Sequence, residues 1–307
     1  MTNDIKKYTF CVAGFAFSIW LPYRWNINLL LPSFQPFRYE GEKKAEEALF
    51  SVEITDRPAG TDHTVKQLLE DTINDMGHVR LFAVCSGYRI EVSALKDNKV
   101  HVMCIDKGFT SAVIQVCDND KNKASAIGSM LRMMYAQAIL RKNAISVHAA
   151  AVYMGGMTYM FMGKSGTGKS THASLWTHTF KECHLLNDDN PVVRIEHGQA
   201  WVYGTPWSGK TPCYRNMGFP LAGAVRLKQA GTNRFSLLED TEAFIALLPA
   251  CSVIRKDSSL HDCMCDTLVR LTGLCRIGML ECLPEEEAAT LCAISLNVPE
   301  KFFEHKK

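Results

Sequence analysis

Gly163-Lys164-Ser165-Gly166-Thr167-Gly168-Lys169-Ser170-Thr171 stands near the middle of the chain and has the pattern Gly-x-x-x-x-Gly-Lys-Ser/Thr. This is the phosphate-binding P-loop, or Walker A, pattern. Its glycines let consecutive backbone N–H groups turn toward a polyphosphate, its lysine reaches the outer phosphates, and its hydroxyl ligates Mg²⁺. The sequence therefore predicts that this stretch lines a nucleoside triphosphate site, with Lys169 on the phosphates and Ser170 on the metal ion.

The residues on either side favour this interpretation over a glycine-rich turn that only resembles the motif. Residues 156–162 are short, apolar and typical of a β-strand, and residues 171–176 can continue as a helix. A helix that begins here would direct its positive N-terminal end at a bound anion. Strand, loop and helix in this order predict an α/β fold with the loop at its nucleotide site.

An acidic pair, Asp188-Asp189, follows a predicted strand at 184–187 and lies 19 residues after Lys169. One carboxylate of such a pair can hold Mg²⁺, directly or through water, and the other can accept a proton from an attacking hydroxyl. An Asp-Asp-Asn-Pro turn is the alternative, since turn chemistry alone explains these residue types. The nearby P-loop favours the functional interpretation.

Two further residues are candidates for the same site. His148 lies on a predicted strand at 145–153, and parallel pairing with the P-loop strand would bring it to the edge of the loop; a satisfied structural histidine is the alternative. Lys210, in the Gly- and Pro-rich loop 204–212, could supply positive charge to a transferring phosphate or be a solvated loop lysine. Arg215 and Arg226 are additional cations in this region.

His148, the glycine loop and Asp188-Asp189 together resemble the catalytic half of the HPr kinase/phosphorylase family, over roughly residues 145–228. The Ser-Gly-Thr-Gly-Lys core also resembles ATP-dependent phosphoenolpyruvate carboxykinase, which shares that nucleotide fold. The resemblance implies that Asp188 is the base toward a substrate serine, that Asp189 is a metal-associated carboxylate, and that His148 lies beside the reacting phosphate. Residues 204–210 replace an Arg-Gly-Leu-Gly segment of HPr kinases and resemble HPr-kinase-like proteins, some of which phosphorylate a serine on a small peptide.

Composition sets broad limits on the function. The 307 residues are 47% hydrophobic and 21% charged, which is typical of a globular protein with a buried core, and the net charge of +2 gives no indication of a nucleic-acid surface.

The apolar stretch from Phe10 to Leu21 is interrupted by polar residues and predicts a core strand rather than a signal peptide, and no run reaches the length of a membrane span. Twelve scattered cysteines, including Cys263 and Cys265, are interpreted as thiols without zinc-site spacing, so a cytoplasmic protein is expected.

The pattern of candidate elements predicts three regions. Residues 1–122 form a β-rich domain, residues 123–235 form the nucleotide-binding core with a linker helix at 123–142, and residues 236–307 form an α-rich segment. The candidate strands of the first region are 7–19, 26–31, 49–54, 79–83, 88–92, 100–105 and 111–116. Helices are expected at 239–248, 257–273 and 285–294, with a strand at 276–282.

These observations lead to one favoured hypothesis and two alternatives. The favoured hypothesis is a P-loop protein of HPr kinase/phosphoenolpyruvate carboxykinase type that uses ATP and Mg²⁺ to phosphorylate a serine hydroxyl on a protein or peptide. Asp188, His148, Lys169 and Lys210 would act in catalysis, and Ser170 and Asp189 would hold the metal. A nucleotide-binding switch with little transfer activity and a small-molecule kinase are the alternatives, and a homo-oligomer stays open.

Overall fold

The computed structural model describes residues 5–41, 47–57, 65–74, 77–94 and 99–303. The chain is a mixed α/β protein that divides into two compact units, Met1–Ile139 and Leu140–Lys307. This division differs from the predicted one at both boundaries. The helix predicted to begin the nucleotide-binding core belongs to the first unit, and the predicted C-terminal segment belongs to the same unit as the glycine loop.

The first unit is built on one sheet. Its described strands and helices are β1 (Ile5–Val12), β2 (Phe15–Pro22), α1 (Ile27–Leu30), β3 (Ser51–Thr55), β4 (Val65–Asn74), β5 (Gly77–Val84), β6 (Gly87–Ser93), β7 (Val100–Asp106), β8 (Ser111–Gln115) and α2 (Lys123–Ala138), with a 3₁₀ turn at Pro32–Phe37. The strand order is β1-β2-β3-β8-β7-β6-β5-β4, and β3 pairs in parallel with both β2 and β8. Helix α2 packs on β6 and β7 with Ile127, Met130 and Met134 buried, so these methionines are core residues.

Two predictions for the first unit are wrong. The strand expected at 7–19 is a hairpin, because Ala13 and Gly14 both take positive φ (49° and 80°) and reverse the chain between Val12 and Phe15. The strand expected at 26–31 is the short helix α1, where the Asn26 side chain accepts a hydrogen bond from the Asn28 N–H and caps the first turn. Strand β4 was not predicted.

The second unit contains a branched nine-stranded sheet. Its strands and helices are β9 (Ala144–Ser146), β10 (Ala149–Met154), β11 (Met157–Met162), α3 (Lys169–Thr179), β12 (His184–Asn187), β13 (Val192–Glu196), β14 (Gln199–Tyr203), β15 (Gly218–Gln229), β16 (Arg234–Leu238), α4 (Asp240–Leu247), α5 (Ser258–Thr272), β17 (Arg276–Cys282) and α6 (Glu286–Ser295). The long β15 joins two branches, since its first residues pair with β14 and its later residues pair in parallel with β11 and β17. The predicted segment 236–307 is part of this unit because β17 adds a strand to that sheet.

The strand predicted at 145–153 is divided in two at Val147 and His148. Strand β9 pairs with β13, whereas β10 pairs with β11 and β12, so the backbone changes branches at this point. Strands β10 and β11 are antiparallel, not parallel as expected for the strand bearing His148. The strands at 184–187 and 276–282 were predicted correctly, and β13 and β14 form a hairpin around His197-Gly198.

Helix α3 is anchored by an aromatic core. Trp176 is fully buried between Tyr159, Phe161 and Phe180, with ring centroids 4.9 to 5.2 Å apart. Its indole N–H donates to His172 Nε2 over 3.1 Å, and the His172 ring packs edge-on against Phe161. Burial lowers the pKa of His172 to about 4, because no carboxylate compensates the loss of hydration of the charged ring. Across the described residues, none of the helices has the length and apolar character needed to cross a membrane.

The buried His172 should make the stability of the second unit depend on pH. The unfolded ring binds a proton below its ordinary pKa of 6.5, whereas the folded ring does so only near pH 4, so stability is fully present above pH 6.5 and is lost as the pH falls between these values. We expect this loss to reach about 3 kcal/mol, which is the free energy equivalent to the difference between the two pKa values. Urea unfolding from pH 4 to 8 would measure it. His172→Gln should flatten that dependence, and the same change at the exposed His178 of α3 should leave it intact; equal profiles for the two variants would contradict this assignment.

Candidate functional site

The glycine loop lies between β11 and α3, in the strand–loop–helix order that the sequence predicted. Gly166 and Gly168 take positive φ (79° and 103°), and a side chain at either position would point into open space. The loop is closed by Thr167, whose N–H and hydroxyl donate to the Lys164 carbonyl over 3.1 and 2.6 Å. Since Gly168 is the N-cap and offers no side-chain acceptor, the backbone amides of the first turn of α3 have no side-chain cap and can bind an anion.

Lys169 begins α3 and turns back beneath the loop. Its ammonium donates to the Gly163 and Lys164 carbonyls over 3.1 and 3.4 Å and lies 2.9 Å from His148 Nε2. Burial lowers the pKa of Lys169, and the charges of Asp189 and Asp188 oppose that effect. The lysine is therefore a largely desolvated cation whose position is fixed by three acceptors.

His148 reaches the loop through strand register. Ala149 is paired with Met162, so the residue before β10 lies beside Gly163, the residue after β11. The His148 ring lies between Lys169 and Asp189, with Nδ1 3.0 Å from Asp189 Oδ1. An ammonium has only donors, so Nε2 accepts from Lys169 and Nδ1 carries the proton donated to Asp189. His148 therefore lies next to the glycine loop because β10 and β11 are antiparallel, whereas we had predicted this proximity from parallel strands.

The acidic pair follows β12 and its two side chains have different surroundings. Asp189 contacts His148 with one oxygen and accepts from the Asn190 amide with the other. Asp188 is only 3% exposed, and its Oδ2 accepts from the Thr211 N–H over 3.1 Å. Gly209 lies against the same carboxylate, since a Cβ at this position would be 3.2 Å from Asp188 Oδ2. The loop 204–212 therefore covers the Asp188 side chain.

Asn187 and Thr205 brace the acidic pair, and sequence reasoning did not identify either residue. The fully buried Asn187 accepts with Oδ1 from the N–H groups of Asp189 and Asn190, over 3.0 and 2.8 Å. Its Nδ2 donates to the Thr205 hydroxyl and to the Trp207 carbonyl. In the sequence the only indication was two polar residues, one before the acidic pair and one inside the Gly/Pro loop. Because these residues are 18 positions apart, no local pattern joins them.

A cleft of about 370 Å³ opens beside the acidic pair, with Ser170, Ser174, Thr177, His184, Asp188 and Arg215 in its lining. Its volume falls in the range of small ligand pockets. Ser170 and Asp188, the residues predicted for the metal and base positions, both line it. Lys210 is exposed, and within the described part of the chain it makes no hydrogen bond or ion pair with the other predicted site residues.

The described residues include no group of three or more His, Cys, Asp or Glu side chains placed to hold a metal ion. A Mg²⁺ bound through one hydroxyl, one carboxylate and substrate phosphates does not need such a group. His261, Cys263 and Cys265 lie on helix α5, where the Cys265 thiol is 3.6 Å from His261 Nδ1.

Comparison with known proteins identifies no family for this chain. No protein-family model matches this chain, and no curated protein does either. Among solved structures, the HPr(Ser) kinase/phosphatase from Coxiella burnetii matches with 11% sequence identity and a TM-score of 0.28, over 48% of this chain and 86% of that one. A similarity of this size carries no argument about fold or function, so the site has to be interpreted from its own geometry.

Removing the Asn187 side chain should destabilise the second unit. Asn187→Ala would remove the Oδ1 acceptor of the Asp189 and Asn190 N–H groups, and each unsatisfied buried group costs about 1–3 kcal/mol. We expect the free energy of unfolding to fall by about 2 kcal/mol or more in urea titrations. Gln199→Ala, at an exposed position of β14, is the control and should change it by less than about 0.5 kcal/mol. Similar losses for both variants would show that the brace contributes nothing.

Proposed function

We propose that this chain is an ATP-dependent phosphotransferase, with a P-loop core of HPr kinase type, that transfers the γ-phosphate to a serine hydroxyl on a protein or peptide. One observation carries the proposal: Lys169 of the glycine loop, His148 and Asp189 form a continuous chain of contacts, and Asp188 lies next to it at the edge of a cleft. The residue pattern that resembles HPr kinases supports the same function.

The residues of the loop fit a polyphosphate. The uncapped amides at the start of α3 and the open space above Gly166 and Gly168 supply donors without steric obstruction. Lys169 lies beneath the same loop with its charge directed at the site. Backbone N–H groups and a buried cation together make a favourable environment for the outer phosphates of ATP.

The metal position would be formed by Ser170 and Asp189. Mg²⁺ at this position would neutralise the developing charge on the phosphates. A carboxylate has about four lone-pair sites, so contacts such as those of Asp189 with His148 and Asn190 are compatible with metal ligation. His148 orients Asp189 and holds Lys169 in place, so it acts mainly by positioning these two charges.

Asp188 is the proposed base. Its Oδ2 is held by the Thr211 N–H, and Asp188 and Ser170 both line the cleft. An acceptor hydroxyl in this cleft would transfer its proton to Asp188 as its oxygen forms the new bond to phosphorus and the bond to the ADP oxygen breaks. General-base assistance of this kind contributes typically 10²–10⁴-fold to the rate.

Asp188→Asn tests the proposal. We expect it to lower transfer of labelled γ-phosphate from Mg·ATP by about 10²-fold or more while ATP affinity is retained, because the amide keeps the size of the side chain but cannot take the proton. The assay would use lysate proteins and serine peptides as acceptors. Asp262→Asn, at an exposed position of α5, is the matched control.

Two results would contradict the proposal. Equal labelling by wild type and Asp188→Asn would remove Asp188 as the base. Tight ATP binding without any labelled acceptor would favour a nucleotide-binding switch, and labelling of small metabolites alone would favour a small-molecule kinase.

A further inference from the structure

The cleft beside Asp188 has a defined direction. Strand β12 and helix α3 run antiparallel along it, since α3 leads away from the glycine loop and β12 leads back to the acidic pair. Ser170 and Asp188 therefore lie at one end, and Thr177 and His184 lie at the other. We name this feature, lined by these four residues with Ser174 and Arg215, the acceptor cleft.

The segment 211–215 forms the remaining wall and follows the same direction. At its start the Thr211 N–H donates to Asp188, and in its middle the Cys213 thiol lies 3.4 and 3.5 Å from the carbonyls of Leu186 and Leu185. At its end the Arg215 guanidinium lies 5.9 Å from the ring of Tyr153. Tyr153 is the register partner of His184, so Arg215 belongs to the far end of the cleft.

Arg215 is a half-buried cation without a carboxylate partner in the described part of the chain. The guanidinium contacts the face of the Tyr153 ring and the Cys213 thiol. Burial raises the pKa of that thiol, and the charge of Arg215 partly opposes the effect. The Tyr153 ring also packs at 5.4 Å from His184. These contacts hold the guanidinium in place and leave its donors available to an anion in the cleft.

The distance between the two ends sets the length of a ligand. Four residues of β-strand separate His184 from Asp188, which is about 13 Å. Seven residues of α3 separate Ser170 from Thr177, which is about 10 Å. An extended peptide advances about 3.3 Å per residue, so three or four residues span the cleft.

We propose that the acceptor is an extended peptide segment with a carboxylate three or four residues from the phosphorylated serine, and that Arg215 binds this carboxylate. The inference rests on the proposed function, because it places the serine hydroxyl at Asp188. A guanidinium binds a carboxylate through two parallel hydrogen bonds, which an amide cannot reproduce. An acidic side chain and a peptide C-terminus offer the same group.

The experiment uses the full chain and synthetic peptides that contain one serine in a neutral background. One series carries a single glutamate at each position from one to six residues on either side of the serine, and each peptide has a glutamine counterpart. A second series ends three or four residues after the serine, with a free or an amidated C-terminus. Transfer from labelled Mg·ATP and peptide binding by fluorescence anisotropy are measured for wild type, Arg215→Gln and Arg276→Gln. Arg276 is an exposed arginine of the same unit that does not line the cleft.

We expect wild type to prefer the carboxylate at the third or fourth position by about tenfold in KM, the size of effect that a hydrogen-bonded charge pair provides. Arg215→Gln should abolish the preference, while Arg276→Gln should keep it. Whichever peptide series shows the effect identifies the source of the carboxylate. ATP affinity of each variant confirms that it is folded.

The readouts separate this inference from the proposed function. Transfer without any preference for a carboxylate, or a preference that Arg215→Gln retains, would overturn the role of Arg215 and leave the kinase intact. Carboxylate-dependent binding without transfer would support the acceptor cleft and contradict the kinase. Neither binding nor transfer to any peptide would overturn both.

Discussion

The contact between the Lys169 ammonium and the His148 imidazole is the interaction on which the site depends. A buried ammonium is costly unless its three donors are satisfied, and here they meet Gly163, Lys164 and His148. The first two acceptors belong to the loop itself, whereas the third belongs to the neighbouring β-hairpin. The lysine therefore connects the loop to the sheet, and His148 extends the connection to Asp189 and the end of β12.

The two aspartates are adjacent in sequence and have different surroundings. Asp189 faces His148 and the lysine, so its charge is coupled to the loop. Asp188 lines the cleft, and its Oδ2 accepts from the Thr211 N–H in a loop where a side chain at Gly209 would be a tight fit against the same oxygen. Different environments can give neighbouring carboxylates different protonation behaviour, and the proposed roles of Asp189 and Asp188 depend on that difference.

The loop 204–215 contributes to the site through hydrogen bonds that attach it to β12 and to the acidic pair. Thr205 and Trp207 lock one part of it to Asn187, and Thr211 and Cys213 attach the next part to Asp188 and β12. These hydrogen bonds hold the irregular segment against β12, where it lines the cleft and positions Arg215. Lys210, between Gly209 and Thr211 of the same loop, is exposed.

Much of the second unit was predictable because its signals are local. The glycine loop with its strand and helix, the acidic pair after a strand, the helices near 240–247, 258–272 and 286–295 and the hairpin at His197-Gly198 all depend on residue periodicity and turn chemistry within short stretches. The first unit was less predictable. A two-residue turn at Ala13-Gly14 was hidden in an apolar run, and the capped helix at Ile27–Leu30 was mistaken for a strand.

The sequence by itself determined which residues are chemically able to act: a lysine and a serine after glycines, two carboxylates, and a histidine before the loop. Only the tertiary structure decided how they meet. The antiparallel register of β10 and β11 places His148 on Lys169, and the Asn187–Thr205 pairing fixes the acidic segment. Register and buried hydrogen bonds join residues that are distant in the chain, and no local pattern of side chains specifies such pairs.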